Sequence, residues 1–279
     1  MLSRREINTA TDHSPELNYQ QGNLLNNDEF YSSDAMDMIF PEHMFRNNNV
    51  AVIMETEPAK VANLVPIMLH FASMLGPEWP VVLLTLQEQW EVPPSLQFQQ
   101  LMEAKRIIVL YLPPGTSFPD HKSVSFFMIG RWLWELFAPA NRILMFQADS
   151  ILCSQSSKRI EDFLEWDFIG APIAKKFGQG YNGGLSIRNP KLFLEIAKQQ
   201  ERQPVRLKVE DQWFYTRLRE RDAHLPSAEV AKTFVVETIY YDEPLGYHQP
   251  ARWQKGRMEE IKKWCPEVNM LTGGQHFYR

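Results

Sequence analysis

The chain has 279 residues, of which 44% are hydrophobic and 12% aromatic, enough apolar material for one large core or two small ones. Its formal net charge of −5 excludes a broad electrostatic attraction to nucleic acid or to an anionic membrane. An anionic substrate would therefore have to be held locally, for example by a metal ion or a helix N-terminus.

Two cysteines, Cys153 and Cys265, are too few for a disulfide scaffold in a chain of this length. We favour free thiols in a reducing compartment, with a single disulfide as the alternative. The N-terminal sequence has no apolar signal region, and no run reaches the roughly 18 apolar residues of a spanning helix. We therefore expect no membrane segment. The expected location is cytoplasmic if the chain is complete, and the secretory-pathway lumen if an N-terminal anchor was removed.

The first predicted elements follow a polar lead-in. Residues 1–46 are rich in Asn, Gln, Ser and acidic side chains, which predicts a flexible arm before one domain over residues 47–279. The apolar run Val50–Met54 predicts a strand buried on both faces. A helical pattern follows from Val61 to about Leu75, and Pro66 inside it predicts a kink.

Strands and helices then alternate. Apolar runs predict strands over Val81–Leu86, Ile107–Leu112 and Ile143–Gln147, and an aromatic-rich helix over Val124–Phe137. Because strands alternate with helices in this half, the sequence predicts an α/β/α sandwich with a mixed, mostly parallel central sheet.

The second half predicts shorter elements. Two strands flank a glycine-rich corner near Gly183, and Asn189 followed by Pro190 opens a helix. A further helix starts near Asp211, a strand is predicted over 233–241, and a basic amphipathic helix over 253–264 closes the chain.

Polar residues that could carry chemistry begin at the end of the strand Ile143–Gln147. Gln147 and Asp149 follow its apolar residues, and ligands of open α/β sheets bind outside the carboxyl ends of strands. Asp149 could hold a divalent cation through its carboxylate. Taken alone, this segment is better explained by an Asp that caps a turn.

A second candidate segment is rich in glycine. Gly183 and Gly184 leave the backbone room for close approach by a ligand, and Asn182 adds a donor and an acceptor beside them. A sugar requires such paired polar contacts. A tight hairpin corner explains the segment equally well.

Two later segments supply an acidic pair and a histidine. Glu210 and Asp211 stand at a predicted helix start, where carboxylates favour the helix dipole, and either could act as general base toward an acceptor hydroxyl. His248 lies in a predicted loop and could bind Mn²⁺. For each of the three, a purely structural role is the better explanation in isolation.

The ordered set of segments resembles the GT-A glycosyltransferases. The stretches FQADSILC, DFIGAP, GYNGGLSIRN, EDQWF and PLGYHQ are similar to one domain-of-unknown-function family of that superfamily, found in fungi and bacteria. The similarity covers about residues 50 to 250. One departure is Gln147, which occupies the position of the first acid of the family's DxD motif and adds no charge.

The resemblance implies a GT-A-like fold and a hexosyltransferase-like enzyme. Asp149 and His248 would hold Mn²⁺ or Mg²⁺ against the diphosphate of a nucleotide-sugar donor, which Asp149 also contacts. Glu55, Thr56 and Gln147 would bind the donor's nucleoside. Asp211, with Glu210 as the alternative, would deprotonate a hydroxyl acceptor, and the transfer would invert the anomeric centre. The acceptor itself would be a glycan, a protein or a small molecule.

The acceptor side would include Asn182, Gly183, Gly184 and Trp213, since these flank the glycine-rich corner and the acidic pair.

Two other functions remain open from sequence, and two more are disfavoured. A glycoside hydrolase needs two carboxylates, which Asp149 and Asp211 could supply. A catalytically weak or inactive sugar- or nucleotide-binding module would be compatible with Gln147. A nucleotidyltransferase is disfavoured because the stretch METEPAKV after the first strand has no glycine. A nucleic-acid partner is disfavoured by the acidic balance.

Overall fold

The structure is a computed structural model that describes residues 45–200 and 209–271. The chain divides into the units Met1–Pro41 and Glu42–Arg279, and the fold below belongs to the second. Phe45 is buried and its ring centroid lies 5.4 Å from that of Phe137. Residues 1–44 of the predicted arm lie outside the described residues, so the flexibility of the arm remains a prediction.

The strands form two sheets. In chain order they are β1 (Asn49–Met54), β2 (Val81–Thr85), β3 (Ile107–Tyr111), β4 (Arg142–Phe146), β5 (Ser150–Leu152), β6 (Phe168–Pro172), β7 (Tyr181–Arg188), β8 (Val235–Val236) and β9 (Gly246–His248). The large sheet has the order β3-β2-β1-β4-β7-β6. Neighbours among β3, β2, β1 and β4 are parallel, and β7 is antiparallel to β4 and β6. The predicted mixed, mostly parallel sheet is confirmed.

Consecutive residues of the central strands are buried, which shows that both sheet faces are covered. All five residues of β2 and the four inner residues of β1 are buried. Side chains of a strand alternate between faces, so a strand buried throughout has packing layers on both sides. The predicted α/β/α arrangement follows from this burial.

Strand order reverses next to β1. The chain runs outward through β1, β2 and β3, and then returns to place β4 on the other side of β1. Such a reversal leaves a crevice at the carboxyl ends of the two central strands, where open α/β sheets bind ligands. The fold thus places β1 and β4 at the expected ligand edge.

A small second sheet, with the order β5-β9-β8, was not predicted. It forms because β5 pairs antiparallel with β9, and Ser150 lies opposite His248. The predicted strand over 233–241 is wrong in most of its length, since only Val235–Val236 is strand and Ala228–Phe234 is helix.

The helices differ from prediction mainly at their boundaries. They are α1 (Leu64–Leu75), α2 (Leu96–Glu103), α3 (His121–Ile129), α4 (Arg131–Phe137), α5 (Pro190–Gln200), α6 (Glu210–Arg219), α7 (Ala228–Phe234), α8 (Pro250–Trp253) and α9 (Met258–Trp264). α1 begins only at Leu64, so Pro66 lies in its first turn, where a proline needs no kink.

Two predicted continuous helices are each divided. The aromatic-rich segment is split into α3 and α4 at Gly130, whose extended ψ of 163° interrupts the helix. The predicted helix over 253–264 is split between α8 and α9 by the short 3-10 turn Lys255–Arg257.

Cys153 and Cys265 form a disulfide, with their Cα atoms 4.9 Å apart and 112 positions apart in sequence. The favoured expectation of two free thiols is therefore wrong, and the single disulfide is correct. The bond joins the residue after β5 to the residue after α9. No helix in the described ranges is long and apolar enough to cross a membrane.

Candidate active site

The carboxyl end of β4 carries the first predicted site residues, in a tight turn. The backbone N–H of Ser150 donates to the carbonyl of Gln147 at 3.0 Å, and the Ser150 hydroxyl donates to the same oxygen at 2.6 Å. Gln147 is exposed, and the side chain of Asp149 is 29% exposed. The turn therefore keeps both polar side chains accessible at the sheet edge.

Strand pairing brings His248 to this turn. His248 ends β9 opposite Ser150, rather than lying in a loop as the sequence suggested. Its Nε2 lies 3.3 Å from Asp149 Oδ1 and 3.0 Å from Gln147 Oε1. The imidazole is only 3% exposed and Asp149 Oδ1 is also buried, so Gln147 is the exposed side chain of these three.

The other nitrogen of His248 contacts a residue that the sequence analysis missed. Nδ1 of His248 lies 3.1 Å from Oε1 of Glu237, whose side chain is buried just after β8. Burial alone would lower the pKa of His248, but Asp149 and Glu237 raise it to about 10. A carboxylate on the far nitrogen is the usual orienting partner of a metal-binding histidine.

Asp149 is kept ionised by its neighbours. Gln249 donates to its Oδ2 at 2.8 Å, and His248 approaches Oδ1. Burial raises the pKa of Asp149, but His248 and Gln249 outweigh this and lower the pKa below its usual value. A carboxylate that remains charged is suited to hold a cation.

The donor atoms of these side chains determine whether they could hold a metal ion. Within residues 45–200 and 209–271, no group of three or more His, Cys, Asp and Glu side chains could hold a metal ion. The turn and β9 instead offer one imidazole nitrogen, one carboxylate oxygen and the amide oxygen of Gln147. Mixed nitrogen and oxygen donors suit Mn²⁺. A bound diphosphate could supply the remaining oxygen ligands, so the set fits such an ion only together with a donor.

The predicted acidic pair begins α6 (Glu210–Arg219). Asp211 Oδ2 accepts a hydrogen bond from the backbone N–H of Gly183 at 3.1 Å, and Oδ1 accepts one from that of Gln212 at 2.6 Å. Asp211 is 7% exposed. Burial, with the nearby Glu210 carboxylate, raises the pKa of Asp211 to about 7. A carboxylate with that pKa is poised to accept a proton near neutral pH.

A fully buried guanidinium supports the acidic pair. Arg188, at the end of β7, donates to Ser186 Oγ at 3.0 Å and to the Gly183 carbonyl at 3.3 Å, and lies 3.6 Å from Glu210 Oε1. It is enclosed by the rings of Trp134, Phe168 and Phe193. The sequence analysis missed Arg188, although an arginine closing the apolar run of a buried strand signals a partner carboxylate.

Gly183 and Gly184 join the two sets of residues. A Cβ on Gly183 would overlap the Arg188 guanidinium and lie 2.9 Å from Glu210 Oε1. A Cβ on Gly184 would overlap the His248 imidazole and lie 2.7 Å from Gln147 Oε1. Consecutive Cα atoms are about 3.8 Å apart, so the acidic pair and the histidine meet at one dipeptide of β7. We call the residues Gln147, Asp149, Glu237 and His248 the histidine cluster, and Arg188, Glu210 and Asp211 the acid cluster.

Two predicted acceptor residues have structural contacts. Oδ1 of Asn182 accepts a hydrogen bond from the N–H of Gly184 at 2.7 Å, so its side chain shapes the glycine backbone. Trp213 is half-buried on α6, and its ring centroid lies 4.9 Å from that of Phe214. Sugar binding by either residue remains a prediction.

The predicted nucleoside-binding residues lie at the same sheet edge. Glu55 and Thr56 follow β1, the parallel neighbour of β4. Glu55 Oε1 accepts a hydrogen bond from the N–H of Glu57 at 2.9 Å, and burial raises the pKa of Glu55. Asn63 donates to the carbonyl of Ala148 at 2.8 Å, which ties the start of α1 to the β4 turn. Contacts of Glu55 and Thr56 with a nucleoside remain a prediction.

Comparison with known proteins gives a family and several similar structures. Residues 106–248, about half of the chain, match the family described as "Protein of unknown function (DUF5672)". No curated protein sequence matches significantly. The structure is similar to the apo form of the glycosyltransferase GlyE from Streptococcus pneumoniae TIGR4, with TM-score 0.48, 15% identity, and 80% of this chain and 63% of that one covered. The chain thus spans less than two thirds of GlyE.

Two further similar structures are also glycosyltransferases. The galactosyltransferase LgtC, in complex with donor and acceptor sugar analogues, has TM-score 0.41 and 12% identity, with 77% of this chain and 96% of that one covered. Core-mannan synthase A from Aspergillus fumigatus, in its Mn/GDP form, has TM-score 0.39 and 9% identity, with 57% and 65% covered. Since all three TM-scores are below 0.5, the function proposed next rests on the site geometry and not on these structures.

Proposed function

The chain belongs to the DUF5672 family of proteins of unknown function, and we propose that it is a glycosyltransferase. It would transfer a sugar, of the hexose class, from a nucleotide-diphosphate-sugar to a hydroxyl acceptor. The observation that carries this proposal is the meeting of the histidine cluster and the acid cluster at Gly183–Gly184. One cluster is suited to a diphosphate-bound cation, and the other holds a carboxylate suited to accept a proton.

The donor would lie across the carboxyl ends of β1 and β4. The strand order reverses there, and nucleotides bind α/β sheets at such a reversal. Glu55, Thr56 and Gln147 would contact the nucleoside, and Asp149 and His248 would face the diphosphate through a divalent ion. Mn²⁺ suits the mixed donor set better than Mg²⁺. When bound, the ion would neutralise charge on the diphosphate leaving group.

The acceptor would approach from the acid cluster. Asp211 takes the proton of the acceptor hydroxyl at its carboxylate. The hydroxyl oxygen attacks the anomeric carbon directly, with inversion, as the bond from that carbon to the diphosphate oxygen breaks and the nucleoside diphosphate leaves. The pKa of about 7 for Asp211 supports this role, because a base is most effective when its pKa lies near the working pH. Glu210 is the alternative base, since its side chain is 18% exposed.

The disulfide bears on the location. Disulfides persist in oxidising compartments and are rare in the cytoplasm. The bond between Cys153 and Cys265 therefore favours the secretory-pathway lumen over the cytoplasm as the place where the enzyme acts.

A thermal-shift panel tests the donor and metal together. Uridine and guanosine diphosphates and their sugar derivatives are added with and without Mn²⁺ to the wild type, to Asp149→Ala and to Glu259→Ala. Glu259 is an exposed carboxylate on α9 and serves as the control. At about 100 times the dissociation constant, a ligand stabilises by about 2.7 kcal/mol, or roughly 5–10 °C in Tm for a chain of this size.

The expected result is a Mn²⁺-dependent rise in Tm with one nucleotide series, retained in Glu259→Ala and lost in Asp149→Ala. If no ligand changes the Tm of the wild type, with or without Mn²⁺, the proposed function is contradicted. If instead simple aryl glycosides are hydrolysed without any nucleotide, the Asp149 and Asp211 carboxylates belong to a glycoside hydrolase. Binding of one nucleotide-sugar with no transfer to any acceptor would indicate an inactive binding module.

A further inference from the structure

An aromatic pair with one exposed and one half-buried ring lies outside the hydrophobic core. Phe177 ends the short 3-10 turn Lys175–Phe177 and is 45% exposed. Its ring centroid lies 5.0 Å from that of Trp253 in an edge-to-face arrangement. Trp253 ends α8, which begins two residues after His248. Two elements distant in sequence thus present aromatic rings side by side.

On one side, the pair is connected to the acid cluster. The carbonyl of Phe177 accepts a hydrogen bond from Gln212 Nε2 at 3.3 Å, and the N–H of Gln212 donates to Asp211 Oδ1. Gly178, next to Phe177, has a φ of +137°, and a Cβ there would overlap the Gln212 side chain. Phe177 is therefore packed directly against the residue that follows the proposed base.

On the other side, the pair is connected to the histidine cluster. The Arg252 guanidinium lies 4.7 Å from the Trp253 ring centroid and donates to Gln249 Oε1 at 3.1 Å. Gln249 in turn donates to Asp149 Oδ2 at 2.8 Å. The Arg252 guanidinium and the Gln249 amide thus link Trp253 to Asp149, the proposed ligand of the divalent ion.

The pKa of a histidine on a third element is affected by charges from both sides. His121 begins α3. Burial lowers the pKa of His121, the Glu210 carboxylate raises it, and the Arg252 guanidinium lowers it. Glu210 of the acid cluster and Arg252 beside Trp253 thus both affect the pKa of His121.

We propose that Phe177, Trp253 and Arg252 form the subsite for a carbohydrate acceptor, an inference that rests on the proposed transferase function. A pyranose has an apolar C–H face and a rim of hydroxyls. Aromatic rings match that face, and the Arg252 guanidinium and the amides of Gln212 and Gln249 match the hydroxyls. The pair lies beside both clusters, so a sugar held there would present a hydroxyl to Asp211. The acceptor class is therefore a glycan or glycoside rather than a protein side chain.

Glycoside binding without nucleotide tests the subsite. Ligand-observed NMR titrations use the methyl glycosides of glucose, galactose, mannose and N-acetylglucosamine, with no nucleotide and no metal. The variants are Phe177→Ala and the matched control Phe126→Ala. Phe126 is 40% exposed and, like Phe177, has a lysine ammonium over its ring. Far-UV circular dichroism and Tm confirm that each variant is folded.

We expect at least one methyl glycoside to bind the wild type and Phe126→Ala equally, and Phe177→Ala roughly tenfold more weakly. The subsite is overturned if no methyl glycoside binds the wild type, or if Phe177→Ala binds as tightly as the wild type. The nucleotide panel above reports separately on the transferase. Glycoside binding without nucleotide binding would support the sugar subsite and contradict the transferase function. Nucleotide binding without glycoside binding would support the transferase function and contradict the subsite.

Discussion

The histidine cluster and the acid cluster meet at one glycine dipeptide, yet the pKa values of their side chains are shifted in different ways. In the histidine cluster, carboxylates on both ring nitrogens raise the pKa of His248 to about 10, and the pKa of Asp149 is lowered. In the acid cluster, burial and a neighbouring carboxylate raise the pKa of Asp211 to about 7, although Arg188 and two backbone N–H groups oppose this.

The difference follows from where the positive charge sits. His248 directly contacts the carboxylates of its cluster at 3.1 and 3.3 Å, so the charged forms stabilise one another. Arg188 lies 3.6 Å from Glu210 and divides its other contacts between Ser186 and Gly183. Asp211 therefore shares little of that charge and titrates near neutrality. The first arrangement holds a proton on His248 that a bound cation would have to displace, and the second favours exchanging a proton near neutral pH.

The largest expected effect is on turnover. Asp211→Asn keeps an oxygen acceptor for the Gly183 N–H but removes the proton acceptor. Initial rates of nucleoside diphosphate release in the presence of acceptor should fall by about 10²–10⁴-fold, with the donor dissociation constant unchanged. Glu210→Gln is the matched control, and its initial rate should fall much less. If Glu210→Gln is the more damaging change, Glu210 is the base and the comparison between clusters must be revised.

The disulfide supports the two clusters unequally. Cys153 follows β5, which pairs with the strand that carries His248, and the bond closes a loop of 112 positions. Reduction should lower the free energy of unfolding by roughly 2–5 kcal/mol, measured by urea titration with and without a thiol reductant. Below the transition, nucleotide affinity should weaken while the Asp211 titration stays in place. Unchanged stability after complete reduction, verified by thiol counting, would contradict this expectation.

Removing the charge behind His248 tests the histidine cluster. Glu237→Gln keeps the size of the side chain and an oxygen facing Nδ1, but removes the negative charge. Mn²⁺ affinity, measured in the presence of the nucleoside diphosphate identified by the panel, should fall roughly 10–100-fold, as for other orienting partners of metal ligands. Glu259 is an exposed carboxylate on α9, and the control Glu259→Gln should leave the Mn²⁺ affinity unchanged. Equal affinities in Glu237→Gln and wild type would show that Glu237 only fills buried space.

The last expected effect is on the pH dependence of stability. Asp211 has a folded pKa of about 7, above its unfolded value of about 3.9, so the folded state binds its proton more tightly. Its contribution is therefore favourable at acid pH and is lost as pH rises from about 4 to 7, by at most about 1.4 kcal/mol per pH unit.

Urea titrations at several pH values compare the wild type with Asp211→Asn. The difference in unfolding free energy should shift in favour of Asp211→Asn as pH rises through this window and be constant above it. A difference that does not vary between pH 4 and 8 would show that the pKa of Asp211 is not raised.

Much of the fold was predictable because buried strands are local apolar runs. Val50–Met54 and Val81–Leu86 are each apolar enough to identify a strand without knowledge of the partner strand. The end of α3 was not predictable in this way, since the helical pattern continues through Gly130. Likewise, nothing local marks Val235–Val236 as strand and the residues before it as helix, because this pairing is with a strand ten residues later.

The α/β class, the candidate segments that contain Asp149, Asp211 and His248, and the glycine-rich segment were predictable from the amino-acid sequence alone. These properties depend on residue type and short-range spacing. The packed fold was needed to show that Ser150 lies opposite His248, that Glu237 and Arg188 are the buried partners, that the two cysteines are bonded, and that Phe177 meets Trp253. Each of those contacts joins residues that are close in space only after strand register is fixed. Register depends on the free energy of the whole packed sheet and not on any one segment.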